Sequence, residues 1–215
     1  MGFTIGGIRE MRSGTRRRGR AAGATAVAEY TGRWGWAVAP GARAAGGVCS
    51  CGDPGCAAPG AHPLDFAREV PPGTGPESAA VAWAEVPGAA MLLPVGRTFD
   101  VLDVAEGPGR QALVRMERMG LPPGPVSVTP GGRAQFFVAP GAAAGLPGLL
   151  YRMGWDDACL DLRALGPGTY VTAPPSDRGG LGPVRWLRPP DPDTAAAPPQ
   201  ARLLLGTLAY VCHRW

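Results

Sequence analysis

The chain has 215 residues, of which 34 are Gly and 25 Pro, and a formal net charge of +4. All 21 basic residues are Arg, so no P-loop is possible, because that motif needs a Lys. No run of about 18 apolar residues is present, which excludes a helix apolar enough to span a membrane, and with His62 and His213 as the only histidines and no G-x-S-x-G, a Ser/His triad is not expected.

Residues 1–20 hold Arg9, Arg12, Arg16, Arg17, Arg18 and Arg20 against Glu10, a local balance of +5. The other 195 residues carry 15 Arg and 16 acids, a balance of −1. An Arg-rich, flexible leader on a near-neutral body is therefore expected, and such a leader can hold a polyanion by counterion release. It lacks the apolar stretch of a secretory signal, so a cytoplasmic protein with reduced cysteines is expected.

Along the chain, AAGATAVAEYTGR (21–33) predicts a helix and WGWAVAP (34–40) a strand. Residues 41–75 read as a long loop that needs its own organiser. ESAAVAWAEVP (77–87) predicts a short helix, and AAMLLPV (89–95) a buried strand. FDVLDV (99–104) predicts a second strand, joined to the first as a hairpin through Gly96-Arg97. GRQALVRMERMG (109–120) predicts a helix stopped by Gly120. VSVTPGGRAQFFVAP (126–140) reads as two strands around Gly131-Gly132. A helix over 141–153 and strands over 159–165, 169–175 and 184–187 follow. A Pro-rich linker is expected over 189–200, then a C-terminal helix over 201–215 that packs on the domain. Interleaved helices and strands with recurring hairpins predict an α+β fold with a mixed, mostly antiparallel sheet.

The 41–75 loop contains VCSCGDPGCAAPGAHP (48–63). Its C-x-C-x4-C-x5-H spacing places Cys49, Cys51, Cys56 and His62 as a candidate Cys3His set for structural Zn²⁺. Metal binding would supply folding free energy that so apolar-poor a loop lacks. Cys159 and Cys212 lie apart and are expected to be buried.

Several stretches, in order over residues 24–188, resemble one family. AVAEYTGRWGWAVAPG is similar to the opening of the N-terminal prim-pol domain of bifunctional DNA primase/polymerases. CSCGDPGCAAPGAHP resembles an insert in some of its members. FDVLDV resembles the strand that carries the family's D-x-D pair, and TPGGRAQFFV its hairpin with a nucleotide-contacting His. LDLRALGPGTYVTAPPSDRGGLGPVRWL is close to the stretch with its third Asp.

This resemblance to the archaeo-eukaryotic primase superfamily implies an RRM-like core beside a second small α/β unit, spanning residues 21–188. It implies nucleotidyl transfer at two metal ions, Mg²⁺ or Mn²⁺. Carried over residue by residue, the first Asp is Asp103 and the third is Asp161. The second falls on Ala105. The His falls on Ala134, or on Gln135 if the register is one off. Glu106 is a candidate substitute acid. Gly131, Gly132, Arg133, Gln135, Ser176 and Arg178 are candidate nucleotide contacts.

The resemblance thus implies a divergent, stand-alone member with a degraded nucleotidyltransferase site that keeps nucleotide or single-stranded DNA binding. An active polymerase using substitute residues is the second expectation. A zinc-stabilised regulatory module with a protein partner is the third.

Overall fold

The computed structural model describes residues 23–45, 48–156 and 158–215. The Arg-rich stretch 1–20 lies outside them. The first helix, α1, covers 23–33 and widens to a π-helical turn over Glu29–Arg33. Strand β1 (Ala39–Gly41) starts later than expected, because Gly35 takes φ +64° and bends the chain after Trp34. A two-stranded hairpin, β2 (Ala44–Ala45) and β3 (Val48–Cys49), follows inside the cysteine loop. Next come α2 (Pro76–Ala84), β4 (Ala90–Pro94), β5 (Asp100–Ala105), α3 (Glu106–Arg118), β6 (Val126–Thr129) and β7 (Arg133–Val138). The chain continues with α4 (Ala142–Arg152), β8 (Leu162–Leu165), β9 (Tyr170–Thr172), β10 (Arg185–Arg188), α5 (Pro192–Ala196) and α6 (Ala201–His213).

Two sheets organise these elements. One has three strands in the order β1-β4-β9, and the other has five in the order β10-β6-β7-β5-β8. Every neighbouring pair is antiparallel. Within the larger sheet, β5-α3-β6-β7-α4-β8 forms the RRM-like βαββαβ unit, with β10 added at the β6 edge. The fold is thus α+β, as expected.

The expected β4–β5 hairpin does not form. Gly96 N–H donates to the Phe99 carbonyl at 2.7 Å, and the chain then changes sheets. Both edges of β4 are taken by β1 and β9, and both edges of β5 by β7 and β8. The turn needs glycine at 96: φ is +94°, and a Cβ would fall 2.5 Å from Pro167.

The alternation along β5 divides the core. Leu102 and Val104 join an aliphatic cluster with Phe136, Met116, Leu204 and Leu208 beneath α3, α4 and α6. Val101 joins an aromatic cluster on the other face, where Trp36 stacks on Phe137 at 5.5 Å between ring centroids. Asp103 shares that second face. Asp100 is buried as well, and its carboxylate accepts from Ala143 N–H at 2.9 Å in the first turn of α4.

Residues 189–200, expected as a linker, are built into the body. Asp191 and Thr194 form a reciprocal capping box that starts α5. Trp36 Nε1 donates to the Ala195 carbonyl at 3.0 Å. Helix α6 then packs on α3, contributing Leu204, Leu205 and Leu208 to the core. Cys212 is buried, but Cys159 is exposed, contrary to expectation, because it precedes β8 rather than lying within it.

Candidate nucleotide cleft and metal centre

A polar row crosses the aromatic-side face of the larger sheet. Asp103 on β5 stands opposite Gln135 on β7 and Arg163 on β8, and Gln135 stands opposite Ser127 on β6. Ser127 Oγ donates to Gln135 Oε1 at 3.3 Å, and Gln135 Nε2 donates to Asp103 Oδ2 at 3.1 Å. Arg163 Nε donates to Asp103 Oδ1 at 3.0 Å. The next inward-facing pair is Ala105 and Arg133, again directly opposite.

Arg133 is the centre of this arrangement. Its Nε donates to Asp103 Oδ1 at 2.8 Å, and its Nη1 donates to Asp161 Oδ2 at 2.5 Å. Asp103 is only 1% exposed, so its charge is desolvated and needs these donors. Asp161 is exposed, and the Arg133 hydrogen bond holds its carboxyl below the usual carboxylate range. The same hydrogen bond to Asp161 raises the Arg133 guanidinium, together with its bond to Asp103.

The other expected residues are placed as follows. Glu106 opens α3 and accepts from Arg110 Nε at 2.7 Å. Gly132 sits in the β6–β7 turn at φ +72°, and its N–H donates to the Thr129 carbonyl at 3.0 Å. Gly131 precedes it in that turn. Ser176 is buried, and its hydroxyl accepts from Met91 N–H at 2.8 Å, tying β4 to the loop after Pro174-Pro175. Arg178 follows on that loop, half-buried and without an ion-pair partner among the described residues. Burial pushes its guanidinium down, and the Asp103 charge opposes that shift.

Ala134 is fully buried among the helix-side residues, and Gly109 on α3 lies so close that a Cβ there would come 2.4 Å from the Ala134 Cβ. Gln135 is therefore the residue that faces Asp103. Arg163 and Ser127 were not expected here. The alternation rule could have found Arg163, which lies two residues after Asp161 on one strand face.

The cysteine loop forms a second centre. The ligand atoms of Cys49, Cys51, Cys56 and His62 all lie within 4.8 Å of one another. His62 Nδ1 is 2.9 Å from the Pro63 carbonyl, which turns Nε2 toward Cys49 Sγ at 3.3 Å. This is the outer-shell contact that fixes a ligating imidazole. Burial works against the Cys49 thiolate, but backbone N–H groups of Cys51 and Gly60 and the His62 ring outweigh it and hold that thiol at about 6. Three thiolate donors and one imidazole fit a metal such as zinc in both donor type and spacing.

A family model described as "Bifunctional DNA primase/polymerase, N-terminal" matches residues 27–201, most of the chain. The chain belongs to that family. Searches of curated proteins and of solved structures returned no match. In this prim-pol domain the cysteine loop packs against the loop that carries Arg178: a Cβ on Gly60 would fall 3.3 Å from Gly179 N. No helix among the described residues is long and apolar enough to cross a membrane.

Proposed function

We propose that this prim-pol domain binds nucleotide or single-stranded nucleic acid in the sheet cleft and does not catalyse nucleotidyl transfer. The supporting observation is the Arg133 guanidinium, bonded at once to Asp103 and Asp161. These are the positions of the first and third metal-binding acids, and the second is Ala105. A two-metal centre needs carboxylates turned toward cations with open coordination. Here both acids are turned toward an internal guanidinium, so the donor set does not fit Mg²⁺ or Mn²⁺, and no catalytic step is derived through either ion.

The substitutes are engaged elsewhere, Glu106 with Arg110 and Gln135 with Asp103. Arg178 remains as a cation without a carboxylate partner at the cleft, and phosphate is the ligand chemistry that suits it. Zinc at Cys49, Cys51, Cys56 and His62 would have a structural role, cross-linking the loop that supports the Arg178 segment.

Two measurements test this reading. In the first, the full chain is given a primed template, dNTPs and Mn²⁺; the expected result is no extension, and extension abolished by Asp103→Ala overturns the proposal. In the second, dNTP binding is followed by calorimetry in wild type and Arg178→Ala. Wild-type binding that disappears in the variant is expected, and no binding by the wild type refutes a nucleotide cleft.

A further inference from the structure

The helix-covered side of the larger sheet carries a basic groove that the cleft does not use. It lies between α3 and α6 and has a volume of about 740 Å³. On α3, Arg110, Val114 and Arg118 recur at four-residue steps, with Arg115 beside them, so they share one helix face. From α6 and the residues after it come Tyr210, Arg214 and Trp215. No Asp or Glu side chain lines the groove. Arg110 is paired with Glu106, whereas Arg115, Arg118 and Arg214 have no ion-pair partner among the described residues.

The aromatic side chains are held ready for contact. The Arg115 guanidinium lies 4.7 Å from the Tyr210 ring centroid and that of Arg214 5.5 Å. Arg214 Nη1 also donates to the Tyr210 hydroxyl at 2.6 Å. Trp215 is 75% exposed, yet its Nε1 is pinned to Gln111 Oε1 at 3.1 Å. Its ring rests on the first turn of α3, where a Cβ on Gly107 would fall 2.8 Å from it. One indole face is thus backed by the helix, and the ring is otherwise open.

We infer that this groove is a second binding site, for single-stranded nucleic acid. Unpaired arginines on α3 and just past the end of α6 would neutralise successive phosphates, and a fixed, exposed indole offers a base a stacking surface. Guanidinium planes over an aromatic ring add stacking surface of the same kind. An acidic peptide would use the arginines but has no need of an open ring held face-out, so the aromatic component favours bases. The site is on the face opposite Asp103 and does not depend on the cleft binding anything.

The test uses the full chain and an oligothymidylate substituted with iododeoxyuridine. Photo-cross-linking followed by peptide mass spectrometry should place adducts on Tyr210 or Trp215. In anisotropy titrations of a labelled oligothymidylate, Trp215→Ala should weaken binding by about tenfold, the effect of one base left unstacked. Arg115→Ala with Arg118→Ala should reduce the salt slope by about 2, one for each phosphate no longer neutralised. Trp215→Ala removes an exposed side chain, and an unchanged melting temperature will show that the fold is intact. Adducts confined to residues 1–20 or to the sheet cleft overturn the inference, as does wild-type affinity in both variants. Polyglutamate that binds as tightly as the oligonucleotide, and equally well to Trp215→Ala, would make the groove a site for acidic peptide instead. Calorimetry with dNTP reads the cleft, whereas the adduct positions and the Trp215→Ala titration read the groove, so either site can fail without the other.

Discussion

Ala105 and Arg133 stand directly opposite each other on β5 and β7. The small side chain leaves space above the sheet, and the Arg133 guanidinium uses it to reach both Asp103 and Asp161. The small residue on one strand and the cation supplied by the next are two halves of one local arrangement. The charge on buried Asp103 is balanced without an external ion.

That balance predicts the cost of breaking it. Arg133→Ala leaves Asp103 with Arg163 and Gln135 as its remaining side-chain donors. Because the carboxylate is buried, the loss should be about 2 kcal/mol of unfolding free energy, less than for a buried charge left with no partner. Urea denaturation of the variant against wild type measures it. An unchanged midpoint would mean that Arg133 contributes nothing to the stability of Asp103.

Acid should act through Asp161. Its folded-state pKa lies below the ordinary value because of Arg133. Such a group stabilises the fold at pH above its unfolded pKa of about 4, and that contribution disappears as pH falls through the folded value. The melting temperature of Asp161→Asn should therefore fall less steeply below about pH 4 than that of wild type. Parallel acid limbs in thermal melts would contradict this.

Metal removal should have a local effect before a global one. Protein purified without chelator should contain stoichiometric zinc, and Cys51→Ser or a strong chelator should release it. Hydrogen exchange should then accelerate over residues 41–75 and 176–182 while β5 and β7 stay protected. Zinc-free protein with unchanged exchange in those loops would refute a structural role.

Packing at the helix side predicts a steric cost. Gly109→Ala would drive its new methyl into Ala134 on β7. Overpacking of this kind costs about 1–3 kcal/mol, and a thermal melt detects it. Ala134→Gly in the same chain should restore part of the stability by opening that space.

What the sequence makes legible is local. The β6–β7 hairpin is written in the Gly131-Gly132 turn between alternating apolar runs. The metal set is written in four ligands between Cys49 and His62. What it leaves illegible depends on distant partners. Nothing near Gly96 tells that β4 and β5 enter different sheets, because their partners β1, β9, β7 and β8 are remote in sequence. Arg133 reads as a phosphate contact until Asp103, 30 residues away, is seen beneath it. Two further features are encoded locally but more faintly. Asp191 and Thr194 around Pro192 mark a helix start within the supposed linker. Alternation counted from Asp103 through its partner Gln135 places Ala134 on the opposite face.

The cation at Asp103 differs in kind from a bound metal. A guanidinium keeps its charge across the whole working pH range, and it is tethered to the chain. It cannot be chelated, exchanged for another ion or starved from the medium. The two charged centres of this protein therefore answer to different environments. A metal held by the cysteine loop would follow metal supply and thiol oxidation, whereas the sheet cleft carries its counter-ion from synthesis onward.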